Sequence, residues 1–302
     1  MIAALIIATG KTTRKDSFEL QKEVGTIPTI QRIAKVFQCA GIARVIAICD
    51  EDRNQAEQLL ARMNVVFLHN HANAEMLDSA KLGLAYLQDK CSAAIIVHVD
   101  VPLFSVETVR TLMASTGQIC VPSFKGNAGH PILLRAEHFQ AVLSYSGDGG
   151  LSGAVKASGL ERHLVEVDDE GVLINVHYGN DYERLIAGHS LSALQPEIRI
   201  RLVKEKPFYG PGAHQLLQLT VETNSLLEAC QLMGMSYSKG RGIISLIEQQ
   251  SGYSVIESQQ GGKNGGCSRV TEEGKALMQN YTEFCAAAKQ NLRELFGKYF
   301  GR

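Results

Sequence analysis

The sequence has no run of the ~20 uninterrupted apolar residues that a membrane-spanning helix requires, so it reads as a chain that does not enter a bilayer. Its apolar opening, MIAALIIATG, has no basic segment ahead of it and runs straight into a glycine turn. That segment therefore reads as a strand and not as a cleaved leader. Seven cysteines stand at 39, 49, 91, 120, 230, 267 and 285 without a single C-x-x-C pair. The common zinc and dithiol signatures are thereby excluded, and the odd number suits the reduced thiols of a cytoplasm. Cys49, Cys91 and Cys120 lie in or beside apolar runs, where a free cysteine serves as a small buried hydrophobe. No internal repeat is present, and the one low-complexity patch, GGKNGG, is too short for a flexible linker. A complete G-x-x-x-x-G-K-[ST] phosphate loop is also missing, because Gly10 stands alone.

What remains is an ordinary globular composition, 45% hydrophobic and 20% charged, over a length of 302 residues that suits two domains. The net charge of −1 hides an asymmetry. From Leu194 onward 13 Lys and Arg oppose 10 Asp and Glu, giving +3, whereas the preceding residues carry 17 against 21, giving −4. A mildly basic tail on an acidic body fits a C-terminal part that meets polyanions.

IAALIIA, ARVIAICD, NVVFLHN and AAIIVHVD are apolar nearly throughout, the character of strands buried on both faces of a parallel sheet. TIQRIAKVFQCAG, RNQAEQLLARM and DSAKLGLAYLQDK lie between them with apolar residues three and four apart, the spacing of amphipathic helices. This alternation predicts an α/β domain with a Rossmann-like, mostly parallel sheet covered on both faces. GQICVPSF, HPILL, HLVEVDD and GVLINVHY read as further strands, and VETVRTLMAS and GNDYERLIAG as further helices. Periodicity is lost between residues 188 and 196, which predicts a first domain over residues 1 to 190 and a second over 196 to 302. IRIRLV then alternates as a half-exposed strand does. Helical stretches GAHQLLQLTVET, SLLEACQLMG and YSKGRGIISLIEQQSG follow, then a strand, YSVIES, a glycine-rich segment and a long amphipathic helix to the end.

Helix, helix, turn, helix, strand and glycine-rich hairpin is the order of a winged helix-turn-helix. Ser225 with Glu228 three residues on makes a capping box, and Gly234 supplies the turn. Ser236 caps a second helix that presents Tyr237, Ser238, Lys239 and Arg241 near its N-terminus, where such a helix meets the major groove of double-stranded DNA. Lys263, inside the Gly261 to Gly266 hairpin, is placed for backbone phosphates. From GPGAHQLL through GMSYSKGRG to GGKNGGCSRVTEEGKAL, the sequence resembles the DNA-binding domain of ModE-type molybdate-responsive regulators. That resemblance implies DNA binding and a homodimer held through the C-terminal domain. The molybdate-binding domains of those regulators have no counterpart in this sequence.

The N-terminal half resembles the MobA-like and MocA-like nucleotidyltransferases. Ala8, Gly10, Thr12 and Arg14 match the opening L-A-A-G-x-S-x-R pattern, and Gly25 and Pro28 fall in register with its later G-x-P. Met76 and Ser79 through Gly83 and Leu84 match M-x-x-S-x-x-x-G-L, HVDVPL matches D-x-P-L, and Gly129, His130 and Pro131 match G-H-P. GDGG, with Asp148, and NVHYGNDYERL complete the series in the family's order. The resemblance implies a nucleotide-diphospho-sugar-transferase type of fold and Mg²⁺-dependent transfer from CTP or GTP to molybdopterin. Under it, Ala8, Gly10, Lys11, Thr12, Ser79 and Gly83 bind the nucleotide, and Arg14 and Asp100 are catalytic. Gly129, His130, Pro131 and Asp148 lie on the acceptor side. Asp100 and His177 hold the metal.

Departures fall at the phosphate and metal positions. Glu19 stands where the family has lysine, Asp16 replaces a loop glycine, and His177 replaces the carboxylate of N-x-D. Nucleotidyl transfer needs cationic donors for the leaving pyrophosphate and a cation bridging triphosphate oxygens. The sequence therefore leaves three readings: a transferase, a transcriptional regulator whose degenerate transferase domain senses a nucleotide or pterin, or a protein that does both.

Overall fold

The apolar runs of the first half fold as strands because each buries both faces. The computed structural model describes residues 1–9, 23–24, 27–50, 55–71, 75–175, 196–259 and 267–300. It divides into two compact units, Met1–Ala193 and Leu194–Arg302.

In the first unit the strands are β1 (Ile2–Ala8), β2 (Glu23–Val24), β3 (Ile27–Pro28), β4 (Arg44–Asp50), β5 (Val65–Asn70), β6 (Ala93–His98), β7 (Ile119–Phe124), β8 (Asn127–Ala128), β9 (Ile132–Arg135) and β10 (Arg162–Glu166). The helices are α1 (Thr29–Ala40), α2 (Gln55–Leu60), α3 (Met76–Leu87), α4 (Val106–Ala114), α5 (Phe139–Leu143) and α6 (Gly150–Ala157). The main sheet runs β10-β7-β9-β6-β1-β4-β5, with β8 added against β7. β1 pairs in parallel with β4 and with β6, β4 with β5, and β7 with β10. β9 enters antiparallel between β6 and β7. The sheet is therefore mostly parallel.

The chain moves outward from β1 to β4 and β5, then returns to place β6 on the other side of β1. Connections thus leave β1 and β6 in opposite directions, and such a switch point opens a crevice at the strands' C-terminal ends. Ile6, Ile33, Phe37, Ile95 and Phe104 are fully buried around this centre, and the Phe37 and Phe104 rings meet at 5.4 Å between centroids. Gly41 ends α1 with φ of 103°, a left-handed turn that glycine adopts without a Cβ clash.

Two expected strands differ in the structure. GVLINVHY begins as a short 3-10 turn at Glu170–Leu173, because the Asp169 carboxylate accepts from the Gly171 amide at 3.0 Å and winds the backbone into a turn. The remainder of that segment, and the helix expected over GNDYERLIAG, lie outside the described residues. IRIRLV contributes only β11 (Leu202–Val203), where pairing with one short antiparallel partner limits the ladder.

In the second unit β11 pairs with β12 (Pro207–Tyr209). The helices α7 (Pro211–Thr223), α8 (Leu226–Leu232) and α9 (Tyr237–Ser251) follow, then an antiparallel hairpin, β13 (Ile256–Gln259) with β14 (Cys267–Val270), and α10 (Glu272–Phe300). Pro211 occupies the first turn of α7, where its missing N–H has no cost. Ser225 and Ser236 cap α8 and α9 by accepting from the Glu228 and Lys239 amides at 3.2 and 3.3 Å. Thr220, Leu216, Leu219, Cys230, Ile244 and Ile247 are buried among these helices.

Gly240 of α9 lies against Cys230 of α8 so closely that an added Cβ would overlap the Cys230 sulfur, with its next neighbours no nearer than 3.8 Å. Gly240→Ala is therefore expected to destabilise the second unit by about 1–3 kcal/mol through overpacking. Adding Cys230→Ala should recover part of that loss, as read from unfolding midpoints of the two single variants and the double variant.

Candidate functional site at the β1 and β6 strand ends

The residues that end β1, β5 and β6 turn from apolar to polar at one edge of the sheet. Thr9 follows β1, Asn70 closes β5, and His98 closes β6 two residues before Asp100. Buried polar groups require partners, and these find one another. Asn70 donates its side-chain N–H to Ser79 Oγ at 3.1 Å, and Ser79 Oγ bonds Thr9 Oγ1. The Thr9 carbonyl faces His98 Nε2 at 3.2 Å. His98 Nδ1 lies 2.8 Å from Asp100 Oδ1. Asn175 donates its amide N–H to the other Asp100 oxygen at 2.5 Å. A continuous polar chain therefore crosses the switch point from β5 to Asp100. A carbonyl only accepts, so Nε2 of His98 carries a proton and Nδ1 is the atom turned to the carboxylate.

Close backbone approaches fix the loops around Asp100. Asp169 is buried and accepts from the Ser105 amide at 2.7 Å and from Thr108 Oγ1 at 2.5 Å, which ties its loop to the start of α4. A Cβ on Gly171 would overlap the Leu103 carbonyl, and one on Gly129 would overlap the Val172 carbonyl. The same Val172 carbonyl accepts from the His130 amide at 2.8 Å. The Asp100–Phe104 loop, the 3-10 turn and the segment Gly129–Pro131 thus form one interlocked wall. The His130–Pro131 peptide bond is cis.

A cavity of about 260 Å³ opens beside this wall. His98, Asp100, His130 and Asn175 supply its polar side, and Ile7, Ile96, Ile132, Leu151 and Val172 much of its apolar remainder. Desolvation lowers the pKa of His130 first, and the Asp100 charge partly opposes that shift. The His130 imidazole is accordingly neutral near pH 7. Among the described residues no group of three or more His, Cys, Asp or Glu gathers at one point as a metal cage. Asp100 is nevertheless a suitable cation ligand. Its carboxylate is oriented by two neighbours and 16% of the side chain is exposed, and hard cations such as Mg²⁺ commonly take one or two carboxylates and complete their shell with phosphates and water.

The candidates from the sequence separate into three groups. Asp100, Gly129 and His130 line the cavity, Pro131 is buried directly behind them, and Ala8 is buried at the end of β1. Ser79, Gly83 and Asp148 are not among the residues lining the cavity. Ser79 is fully buried and its hydroxyl is used within the polar chain, so it braces the site from behind. Gly83 faces the sheet, where a Cβ would stand 2.8 Å from Ile48 and 2.9 Å from Leu5, so its role is close packing of α3 on β1 and β4. Asp148 is exposed ahead of α6 and is not part of the cavity lining. Gly10, Lys11, Thr12, Arg14, Asp16, Glu19, Gly25 and His177 lie outside the described residues, as does Lys263. In the second unit Ser236, Tyr237, Ser238, Lys239 and Arg241 are all exposed at the start of α9.

Sequence patterns also missed residues. His98 reads as part of an apolar strand, although a polar residue at the last position of a parallel strand was a usable signal, since that edge is where such sheets bind ligands. Thr9 and Asn70 carry the same signal.

Comparison with known proteins identifies the family of the first unit. Residues 4–165 match the MobA-like NTP transferase domain. The chain belongs to that family. Among solved structures, a nucleotidyl transferase from Methanothermobacter superposes with a TM-score of 0.55 at 19% identity, over 63% of this chain and 98% of that one. The Mycobacterium tuberculosis protein Rv0371c superposes with a TM-score of 0.53 at 19% identity, over 62% and 98%, and its complex with manganese with 0.51 at 20% identity, over 62% and 98%. At these identities the likeness establishes the fold. Comparison with curated proteins finds no match. All seven cysteines are free, and among the described residues no helix is long and apolar enough to cross a membrane.

Because the MobA-like domain holds Gly129 against the Val172 carbonyl, Gly129→Ala should push the His130 segment off the wall. The expected cost is about 1–3 kcal/mol from overpacking, read as a lower unfolding midpoint of the full chain. A companion Gly126→Ala change, at a position with nothing within 4 Å of the added carbon but φ of 81°, separates backbone strain from overlap.

Proposed function

We propose that the first unit transfers a nucleotidyl group from CTP or GTP to a molybdopterin-type acceptor with a divalent cation, Mg²⁺ by expectation, at Asp100. The second unit is, in this reading, a ModE-type winged helix-turn-helix that binds double-stranded DNA and regulates transcription. The observation that carries the first part is the Asp100 carboxylate at the switch point, facing a cavity walled by Gly129 and His130.

A divalent cation held there would supply positive charge to offset that of the triphosphate and the leaving pyrophosphate. In the transfer an acceptor phosphate oxygen attacks the α-phosphorus, the bond from that phosphorus to its bridging oxygen breaks, and pyrophosphate departs with the electron pair. Asp100 holds the cation, with Asn175 and His98 fixing its carboxylate. Gly10, Lys11, Thr12 and Arg14 follow β1 directly and take the triphosphate, with Arg14 neutralising its charge. His130, neutral near pH 7, is suited to hydrogen bonding with the acceptor, while the aliphatic lining receives its ring portion. His177 is assigned to the metal side as a neutral imidazole.

A second reading has its own support. Both Asp100 oxygens already engage the chain's own side chains, and Glu19 and Asp16 place negative charge in the phosphate loop. These features favour a regulator whose transferase domain senses a nucleotide or pterin without turning it over.

For the second unit, the exposed start of α9 carries Lys239 and Arg241, the charge and position a groove-reading helix needs. Only Gly274 and Tyr281 are buried on α10. Cys285, Ala288, Leu292, Leu295 and Tyr299 succeed one another at alternating steps of three and four, and Leu295 and Tyr299 are 53% and 69% exposed. That seam supports a homodimer through the C-terminal domain.

Full-length protein supplied with CTP or GTP, Mg²⁺ and molybdopterin is expected to release pyrophosphate. Asp100→Ala should lower the rate by two orders of magnitude or more, since a metal contributes several kcal/mol of charge stabilisation. Background release from the unaltered chain, together with salt-sensitive operator binding, selects the regulator reading instead.

Lys239→Ala and Arg241→Ala are each expected to weaken DNA binding. Where the lost contact is to a phosphate, the slope of log affinity against log salt should fall by about 1. Unchanged binding in both variants removes α9 as the DNA reader.

A further inference from the structure

We infer that Glu248 is a positioning residue for DNA binding, fastening the β13–β14 hairpin to α9 so that the cations of both elements meet one duplex together. The inference rests on the proposed DNA-binding role of the second unit and extends it to a residue that neither the sequence patterns nor the comparisons assign.

Three observations carry it. First, one oxygen of the Glu248 carboxylate, Oε1, accepts from the Val255 amide at 3.0 Å and from the Ile256 amide at 3.4 Å. Both residues are buried and Ile256 opens β13, so the last turn of α9 holds the hairpin at its base. Second, an acid at this place runs against local preference. The C-terminal end of a helix carries partial negative charge, and the last turn of α9 has no basic residue to offset it. A local rule broken at a helix end calls for a compensating gain. The two amides supply it, because hydrogen bonds to a carboxylate are stronger than neutral ones. Third, the tie joins two elements that bear cations. Lys239 and Arg241 are exposed at the start of α9, and Lys239 precedes Glu248 by roughly 14 Å of helix at 1.5 Å per residue. Arg269 is exposed on β14, and Lys263 lies in the segment that joins β13 to β14.

The hairpin's other fastenings lead elsewhere. The Thr271 hydroxyl, just ahead of α10, donates to the Ser254 carbonyl at 2.8 Å. The Ser268 amide donates to the carbonyl of Asn224, in the turn between α7 and α8, at 3.0 Å. These bonds keep the hairpin paired and attached, while Glu248 fixes its setting against α9. Two contacts with one polyanion reinforce each other when the span between them matches the target, so this setting governs how many phosphates the second unit reaches.

Charge and position predict opposite effects at this residue. Removing a carboxylate from a surface that binds a polyanion strengthens binding through charge alone. Removing a fastening weakens it.

The test titrates the full-length chain into a fluorescently labelled DNA duplex of mixed sequence, since phosphate contacts carry no sequence information, and reads anisotropy across a salt series. Glu248→Ala should bind roughly tenfold more weakly. Its slope of log affinity against log salt should be shallower by about 1 for each phosphate the hairpin no longer reaches. Glu248→Gln loses the same charge but keeps an oxygen able to accept from both amides, so it should recover most of the lost affinity and slope. Unchanged or tighter binding by Glu248→Ala overturns the assignment, as does a Glu248→Gln variant no better than Glu248→Ala.

Hydrogen exchange on the unaltered chain needs no substitution and stands even where Glu248→Ala fails to fold. Added duplex should slow exchange in β13 and β14 as well as at the start of α9. Protection confined to α9 removes the hairpin from the interface, and the inference with it. If the unaltered chain binds no duplex even at low salt, the DNA-binding reading itself is lost. If it binds and Glu248→Ala binds equally well, that reading survives and Glu248 has no part in it.

Discussion

Neighbouring parallel strands whose onward connections leave in opposite directions must part at their C-terminal ends, and in this chain β1 and β6 are that pair. A line of polar side chains runs across this edge from Asn70 through Ser79, Thr9 and His98 to Asp100 and Asn175. Each member is held by its neighbour, so the carboxylate at the cavity is aimed before any ligand arrives. Such preorganisation is what electrostatic catalysis or tight anion and cation binding requires. Burial explains why the line persists, because an unpaired hydroxyl or amide at Thr9, Asn70 or Ser79 would face a desolvation cost of about 1–3 kcal/mol with no compensating bond.

The opposite wall is organised by steric fit. Gly129 and Gly171 let two backbone carbonyls, those of Val172 and Leu103, approach where any side chain would collide. The loops that carry Asp100 and His130 come from distant parts of the sequence and share this single contact surface. Asp169 links the same surface to the capped N-terminus of α4. Position at the site therefore depends on two glycines, one of which (Gly129) itself lines the cavity, and on one buried carboxylate set behind it.

The fold was largely legible in the sequence because parallel strands buried on both faces leave an apolar signature that few other elements share. β1, β4, β5 and β6 fall on the apolar runs, and α1, α3 and α4 on helically spaced ones. GVLINVHY departed from this reading because its apolar content belongs to a turn wound by Asp169, a local side-chain bond that periodicity does not register. The site was legible in part. Asp100 and His130 announced themselves through D-x-P-L and G-H-P, but motif matching also drew in Ser79 and Gly83, which in this chain engage in internal hydrogen bonding and close packing. His98 escaped because a single polar residue at the end of an apolar run carries little weight until the strand order places it beside β1.

The cavity's aliphatic lining carries one more implication. Any enzyme that passes an activated phosphorus to a chosen acceptor competes with hydrolysis, in which water intercepts the donor and the energy of the triphosphate is dissipated. Ile7, Ile96, Ile132, Leu151 and Val172 offer an incoming water molecule few hydrogen bonds on their side of the cavity. An acceptor with a broad apolar surface would displace such weakly held water, so fidelity in this domain would rest on dryness as much as on recognition.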